Sequence, residues 1–152
     1  AAMPLPIPPP LVVALFGYAM WLLAGRLPFG QFAFAGQRPL AALVALAGLG
    51  LMALAAWTMW RARTTVNPLR PERAAHLVTS GVFARSRNPI YLGDLLILLA
   101  LALAFGNWLN FLLLPLFVAC IDRGQIAAEE RALQRLFGDE YRAYCARVRR
   151  WL

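Results

Sequence analysis

Apolar residues occur in long unbroken runs, and polar residues gather between those runs rather than alternating with them. Residues 3–25 carry no charge. Pro4, Pro6, Pro8, Pro9 and Pro10 exclude a helix interior at the beginning, so a helix is predicted to start near Pro10 and run through Leu11–Ala24. From Leu11 to Gly25 it would rise about 22 Å, short of a hydrocarbon core of roughly 30 Å, with the proline segment as an interfacial foot. Residues 26–38 read as a loop, with Arg26, Gly30, Gly36 and Arg38. Pro39–Trp60 follows, with 22 uncharged residues and a helical rise of about 33 Å. It ends in Trp57 and Trp60, which suit the headgroup belt. Gly48 and Gly50 sit mid-run among alanines, where close helix packing is expected of them. Ile90–Phe105 and Trp108–Ile121 are two further apolar runs, and the Gly106-Asn107 break between them predicts an antiparallel helical hairpin. Pro115 is expected to kink its second arm. Over Asp122–Leu152 the period becomes 3.6: Ile126, Leu133, Phe137, Tyr144 and Val148 form a stripe opposite Arg131 and Arg135, with a break near Gly138.

These elements predict an all-α fold, a polytopic membrane helix bundle of about four spans that ends in an amphipathic helix. With 152 residues, a single domain is expected over 1–152, with N-terminal spans in 1–60 and a chemistry-bearing half in 61–152. The composition points the same way. Hydrophobic residues make up 61% and charged residues 14%, against about 45–50% and about 25% in soluble domains, and a small globule could not bury so much apolar surface. Ala1-Ala2 reads as an addition ahead of an initiator Met3, and no removable signal peptide is expected.

The net charge of +8 comes from fifteen arginines and no lysine. Beside apolar spans they read as topology signals and contacts to anionic membrane lipids, not as a nucleic-acid surface. Two of them lie in 26–38 and thirteen lie in 61–88 or beyond Ile121. Four spans with both ends on one side fit this asymmetry, and the positive-inside rule puts 61–88 and the C-terminus in the cytoplasm. His76, Cys120 and Cys145 lack metal-ligand spacing, so neither a metal site nor a disulfide is expected.

Two cytoplasmic segments hold nearly all the unusual polar residues. The first runs from His76-Leu77-Val78-Thr79-Ser80-Gly81-Val82-Phe83, with Asn67-Pro68 and Ser80-Gly81 as turn signals, into Arg87-Asn88-Pro89-Ile90-Tyr91-Leu92-Gly93. The second pairs Glu129-Glu130 with Phe137-Gly138-Asp139-Glu140-Tyr141 and Tyr144. Taken in order and separated by one hairpin, they resemble the signature of the isoprenylcysteine carboxyl methyltransferase and phospholipid methyltransferase superfamily of membrane enzymes. The likeness covers about residues 75–148. It implies S-adenosylmethionine as methyl donor, held between the cytoplasmic loop and the C-terminal helix. It also implies that Ala75, His76, Leu77 and Val78 line the adenosine side and that Phe83 packs there. Asn88, Pro89, Ile90 and Tyr91 would close over the donor, with Glu129 meeting its methionine part as the residue nearest the chemistry.

The chain departs from the signature in three places. Asn88 stands for a histidine, which keeps a donor and an acceptor but cannot titrate. Phe83 stands for a tyrosine. Gln125 stands where the prenylcysteine enzymes have a substrate-facing arginine, which removes a fixed charge that could hold a carboxylate. Read without the resemblance, the residues still fit this donor, because Glu129 and Glu130 flank the apolar stripe and point toward the protein body. Methyl transfer draws much of its rate from alignment and desolvation, and no specific base is identifiable.

Plainer readings stand beside these. The glutamate pair suits a helix dipole, Arg85 and Arg87 suit headgroups, His76 suits a surface, and Tyr141 and Tyr144 suit interfacial packing. Asp94 lies one turn into the third span, where acids are functional suspects, although it could pair with an arginine. The function expected is methyl transfer to a lipophilic acceptor, isoprenylcysteine-carboxylate-like or phospholipid-like, at the cytoplasmic side of a bacterial inner membrane. A non-catalytic membrane scaffold and a lipid reductase using a nicotinamide cofactor are the alternatives.

Overall fold

The computed structural model describes residues 7–64 and 75–152. The Ala1-Ala2-Met3 start, Pro4, Pro6, the Asn67-Pro68 turn and Arg70, Glu72 and Arg73 lie outside the described residues. Among the described residues, five α-helices carry the architecture: α1 Pro9–Arg26, α2 Gln37–Arg61, α3 Pro89–Phe105, α4 Leu113–Ile121 and α5 Ala127–Arg147.

α1 begins at Pro9, near Pro10 as the proline run predicts, because proline is tolerated in a first helical turn, where its missing N–H has no partner to lose. Its 18 residues rise about 27 Å. α3 is bracketed in the expected sense, with Pro89 at its first turn and Gly106 closing it at φ 65°. α1, α2 and the helix that contains α4 are long and apolar enough to cross a membrane, and α3 is a shorter apolar helix. The chain is therefore a multi-pass membrane protein.

α3 is the central helix, in contact with α1, α2 and α4. Its approach to α2 depends on two glycines. A Cβ on Gly93 would lie 2.3 Å from Met52 Cγ, and one on Gly48 would lie 2.8 Å from the Gly93 carbonyl oxygen. Gly50, expected to serve packing as well, has open space where its side chain would be; it lies on the outward face of α2. That face is apolar, and it exposes Leu43, Leu46, Leu54, Trp57 and Trp60, as a helix wall in lipid does. Val12, Met20, Leu98, Phe117, Ile121 and Ile126 fill the space between α1, α3 and α4.

The hairpin turns through a 3-10 segment, Trp108–Leu112, before α4. Pro115 falls in the first turn of α4 and so marks a helix start, where no interior hydrogen bond is lost and no kink is required. The departure from α geometry comes later, in a π-turn at Asp122–Ile126. One extra residue there rotates everything downstream by about 100°. Gly138 breaks α5 at φ 50° and ψ −118°, where the sequence predicts a break.

The two ends of the bundle differ in character. At one end Phe32 N–H donates to the Gly106 carbonyl at 2.8 Å and Trp108 N–H to the Gly30 carbonyl at 2.9 Å. Gln37 Nε2 reaches the Leu103 carbonyl at 2.7 Å, and Asn107 Nδ2 reaches the Phe29 carbonyl at 3.0 Å. These bonds tie loop 27–36 to the hairpin. The other end is open.

Candidate active site

At that open end a cavity of about 320 Å³ lies between the starts of α1 and α3, the end of α2, the loop 76–88 and α5. Its volume falls in the range of small-molecule sites, roughly 300–1,000 Å³. Of the residues implied by the sequence, the cavity is lined by His76, Leu77, Val78, Phe83, Asn88, Pro89, Ile90, Tyr91 and Glu129. Ala75 is exposed and outside the lining; its N–H donates to Thr64 Oγ1 at 3.2 Å. Gln125 is also outside the lining, at 2% exposure in the π-turn, where its amide donates to the Ile7 carbonyl at 3.0 Å.

The two sequence segments meet at one bond. Tyr91, in the first turn of α3, donates its hydroxyl to Glu129 Oε1 at 2.5 Å. The helical run is continuous from α4 through the π-turn into α5 as far as Gly138, so the N–H groups around Glu129 and Glu130 already have helical surroundings. A dipole role for the pair therefore has no free helix start to act on.

Glu130 has different partners. Arg150 donates to it in a bidentate pair at 3.0 and 2.6 Å, and Arg87 approaches it at 3.3 Å. Its hydrogen bonds to Glu130 raise the Arg150 pKa. Arg87 is thus turned inward, away from the headgroup role its position suggests, and its guanidinium also donates to Cys145 Sγ at 2.6 Å.

Behind the lining, the end of the chain is laid across the loop like a strap. Arg87 N–H donates to the Arg149 carbonyl at 3.0 Å, and Asn88 Nδ2 donates to the Arg150 carbonyl at 2.9 Å. Trp151 Nε1 then reaches Asp122 Oδ1 at 3.1 Å. Asn88 therefore uses a neutral amide to hold backbone, a task that needs no titrating group. Tyr144 donates to the Phe83 carbonyl at 2.6 Å and packs with Tyr141, Val148, Leu77, Leu133 and Phe137. That cluster joins loop and α5 into one wall.

Sequence reasoning passes over the strap, because Arg149-Arg150-Trp151 looks like any basic tail. It also passes over Pro9, Pro10, Met52 and Met59, which line the cavity from the first two helices. They carry no motif, and only the bundle geometry brings them there. Asp94 lines the same cavity from α3, at 7% exposure.

The motif-bearing loop, α3, the hairpin and most of α5 fall within residues 37–140, the stretch matched by the family model of phospholipid methyltransferases. The chain belongs to the phospholipid methyltransferase family. A relative from Haemophilus influenzae, carrying the name "Uncharacterized protein", is 52% identical over 63 residues, which are 41% of this chain and 100% of that protein. A protein-S-isoprenylcysteine O-methyltransferase from Schizosaccharomyces pombe is 35% identical over 72 residues, 47% of this chain. The match spans only 30% of that enzyme's length. No solved structure matches the chain. The family is one of membrane methyltransferases that use S-adenosylmethionine, in keeping with the resemblance carried by the two segments.

Proposed function

We propose that this family member is itself an S-adenosylmethionine-dependent methyltransferase that acts on a lipophilic acceptor. The observation that carries the reading is the Tyr91–Glu129 hydrogen bond, because it sets the two motif segments on opposite walls of one cavity. The donor set suits the ligand. A carboxylate, Glu129, is available for an ammonium group. Phe83, Tyr141, Tyr144, Leu77 and Val78 offer an aromatic and apolar wall for an adenosine. When bound, the donor supplies an electrophilic methyl group.

In this reading Glu129 binds the methionine ammonium and Tyr91 holds the carboxylate in place for it. Asn88, tied to the strap, keeps the head of α3 close to the loop, and Pro89 and Ile90 close the side next to the bilayer. Met52 and Met59 leave an apolar approach between α2 and the loop, and flexible thioethers suit chains of varied shape. The charge asymmetry supports a cytoplasmic site, with loop 27–36 on the far side of a bacterial inner membrane.

Thermal unfolding of the purified protein with and without S-adenosylhomocysteine tests the reading. A ligand that binds only the native state at one hundred times its Kd stabilises by about 2.7 kcal/mol, so a clear rise in Tm is expected. No rise at saturation would favour a scaffold, and a rise with a nicotinamide dinucleotide alone would favour a reductase.

A further inference from the structure

We propose that a groove on the outer side of α4 and the head of α5 holds one anionic phospholipid of the membrane. Its phosphate sits between Arg123 and Arg150, and an acyl chain runs past Ala119 to Pro115. This is a resident lipid and not a substrate, because the groove shares no lining residue with the cavity. Glu129 and Glu130 face the cavity from α5, whereas Ala127 faces the groove. The proposal is therefore independent of the methyl-donor reading.

The groove, of about 610 Å³, follows from the π-turn. Ala127 stands twelve residues after Pro115, which in regular helix would leave the two about 120° apart around the axis. The extra residue of the π-turn at Asp122–Ile126 takes back about 100° of this. Pro115, Ala119, Arg123 and Ala127 therefore share one side across the passage from α4 to α5, and all four line the groove. Within the turn Gly124, Gln125 and Ile126 are buried, while Arg123 is exposed.

The two ends of the groove differ as the two ends of a lipid do. Pro115 lies about 10 Å of helix below Asp122, within one leaflet of a hydrocarbon core of roughly 30 Å. Its neighbours Leu112 and Leu116 are exposed at 67% and 52%, as side chains that meet lipid are. At the other end stand two guanidinium groups and one carboxylate. The carboxylate is already engaged: Asp122 Oδ1 accepts from Trp151 Nε1 at 3.1 Å and lies 3.7 Å from Arg150 Nη1. Arg123 has no hydrogen-bond or ion-pair partner among the described residues.

The charged residues that line the groove thus leave an excess of one positive charge beside an apolar channel. A phosphodiester supplies the missing negative charge, and the planar fork of Arg123 matches its oxygens. Basic pockets beside membrane helices hold anionic headgroups in this way. The ammonium of a choline or ethanolamine headgroup would add a positive charge where one is already in excess, whereas a glycerol headgroup adds none. Phosphatidylglycerol has the charge and the shape that the groove asks for.

Native mass spectrometry of the full chain in a neutral detergent, titrated with dioleoylphosphatidylglycerol or dioleoylphosphatidylcholine, tests the proposal. One phosphatidylglycerol per chain should be retained, at least tenfold more tightly than phosphatidylcholine. Arg123→Gln should weaken its retention about fivefold, the worth of one arginine facing an anionic lipid. Arg135→Gln removes the same charge from an exposed position outside the groove and should leave retention within twofold. Ala119→Trp fills the channel below the arginines and should weaken retention about as much as Arg123→Gln. Arg123 is exposed, so Arg123→Gln carries the test whether or not the groove accommodates tryptophan. Glycerol phosphate, which has the phosphate without the chains, should not displace the lipid. Equal retention of the two lipids would overturn the proposal, and so would retention untouched by Arg123→Gln, which would place the lipid elsewhere. Displacement by glycerol phosphate would make the groove a site for a soluble phosphate, and a dimer that Ala119→Trp converts to monomer would give it to a second copy of the chain. Either result would overturn the proposal as well.

Discussion

Tyr91 and Glu129 are 38 residues apart, and the hydroxyl of one lies 2.5 Å from the carboxylate of the other. The bond divides the labour of two adjacent glutamates. Glu129 faces the cavity with a neutral donor on one oxygen, so its charge stays available to a ligand. Glu130 is neutralised by Arg87 and Arg150.

Replacing each glutamate by glutamine should therefore give different defects. Glu129→Gln is expected to weaken S-adenosylhomocysteine binding by about 1.5–3 kcal/mol, the worth of a charge-assisted hydrogen bond, which is roughly ten- to a hundredfold in Kd. Glu130→Gln should leave Kd within a few-fold of wild type but lower the Tm, because partly buried Arg87 loses its ion pair and Arg150 keeps only the longer one to Asp122. Calorimetric titration and thermal unfolding of both variants make the comparison. Equal Kd for wild type and Glu129→Gln would refute the assignment.

Much of the fold could be read before the structure, and the reason is local. Alternation of long apolar runs with arginine-rich segments reports the solvent around each residue, so the spans from Pro39 and through the hairpin are legible from composition alone. The glycine break at Gly138 and the proline head of α3 follow from backbone chemistry at single positions. Contacts between distant segments are another matter. Nothing near Arg150 in the sequence points to Glu130, and nothing near Met52 shows that Gly93 leaves it room. The π-turn was equally hidden, since Asp122-Arg123-Gly124-Gln125-Ile126 is compatible with an ordinary helix, and the rotation it imposes depends on how α4 packs.

The glycine pair between α2 and α3 gives a stability prediction with an internal control. Gly48→Leu would drive a side chain into the Gly93 carbonyl and Leu96, while Gly50→Leu enters open space on the outer face. Overpacking costs about 1–3 kcal/mol, so Gly48→Leu should unfold at lower temperature in detergent and Gly50→Leu should match wild type. Equal Tm values for the two variants would mean that α2 and α3 do not meet at Gly48.

Membrane orientation is checked with single cysteines in a background lacking Cys120 and Cys145. Ala35→Cys lies in the loop joining α1 and α2, and Arg85→Cys lies in the loop ahead of α3; both positions are exposed. A membrane-impermeant thiol reagent applied to intact cells should label Ala35→Cys and spare Arg85→Cys until the membrane is opened. Labelling of both from outside would rule out an orientation that places the cavity in the cytoplasm.

The last prediction concerns order in the cavity walls. Loop 75–88 and α5 are joined by Tyr144 to Phe83, by Arg87 to Glu130 and by the strap from Arg149 to Trp151. A ligand that touches Leu77 on one wall and Glu129 on the other restricts both at once, because ordering either wall draws on the same binding free energy. S-adenosylhomocysteine should therefore slow amide exchange in 75–91 and in 123–133 together, with the strap at 148–151 following, since it is bonded to Arg87, Asn88 and Glu130 in those segments. Loop 27–36 closes the opposite end of the bundle through Gly30, Phe32 and Gln37 and should exchange at the same rate with or without ligand. Arg150→Ala sharpens the test. It removes the bidentate hold on Glu130 while leaving the carbonyl that Asn88 uses, so the two walls should protect less in concert and Kd should rise several-fold. Hydrogen exchange on wild type and Arg150→Ala, each with and without ligand, is the measurement. Protection confined to one wall in the wild-type protein would mean that the ligand does not bridge loop and helix, and the site would have to be redrawn around the wall that responds.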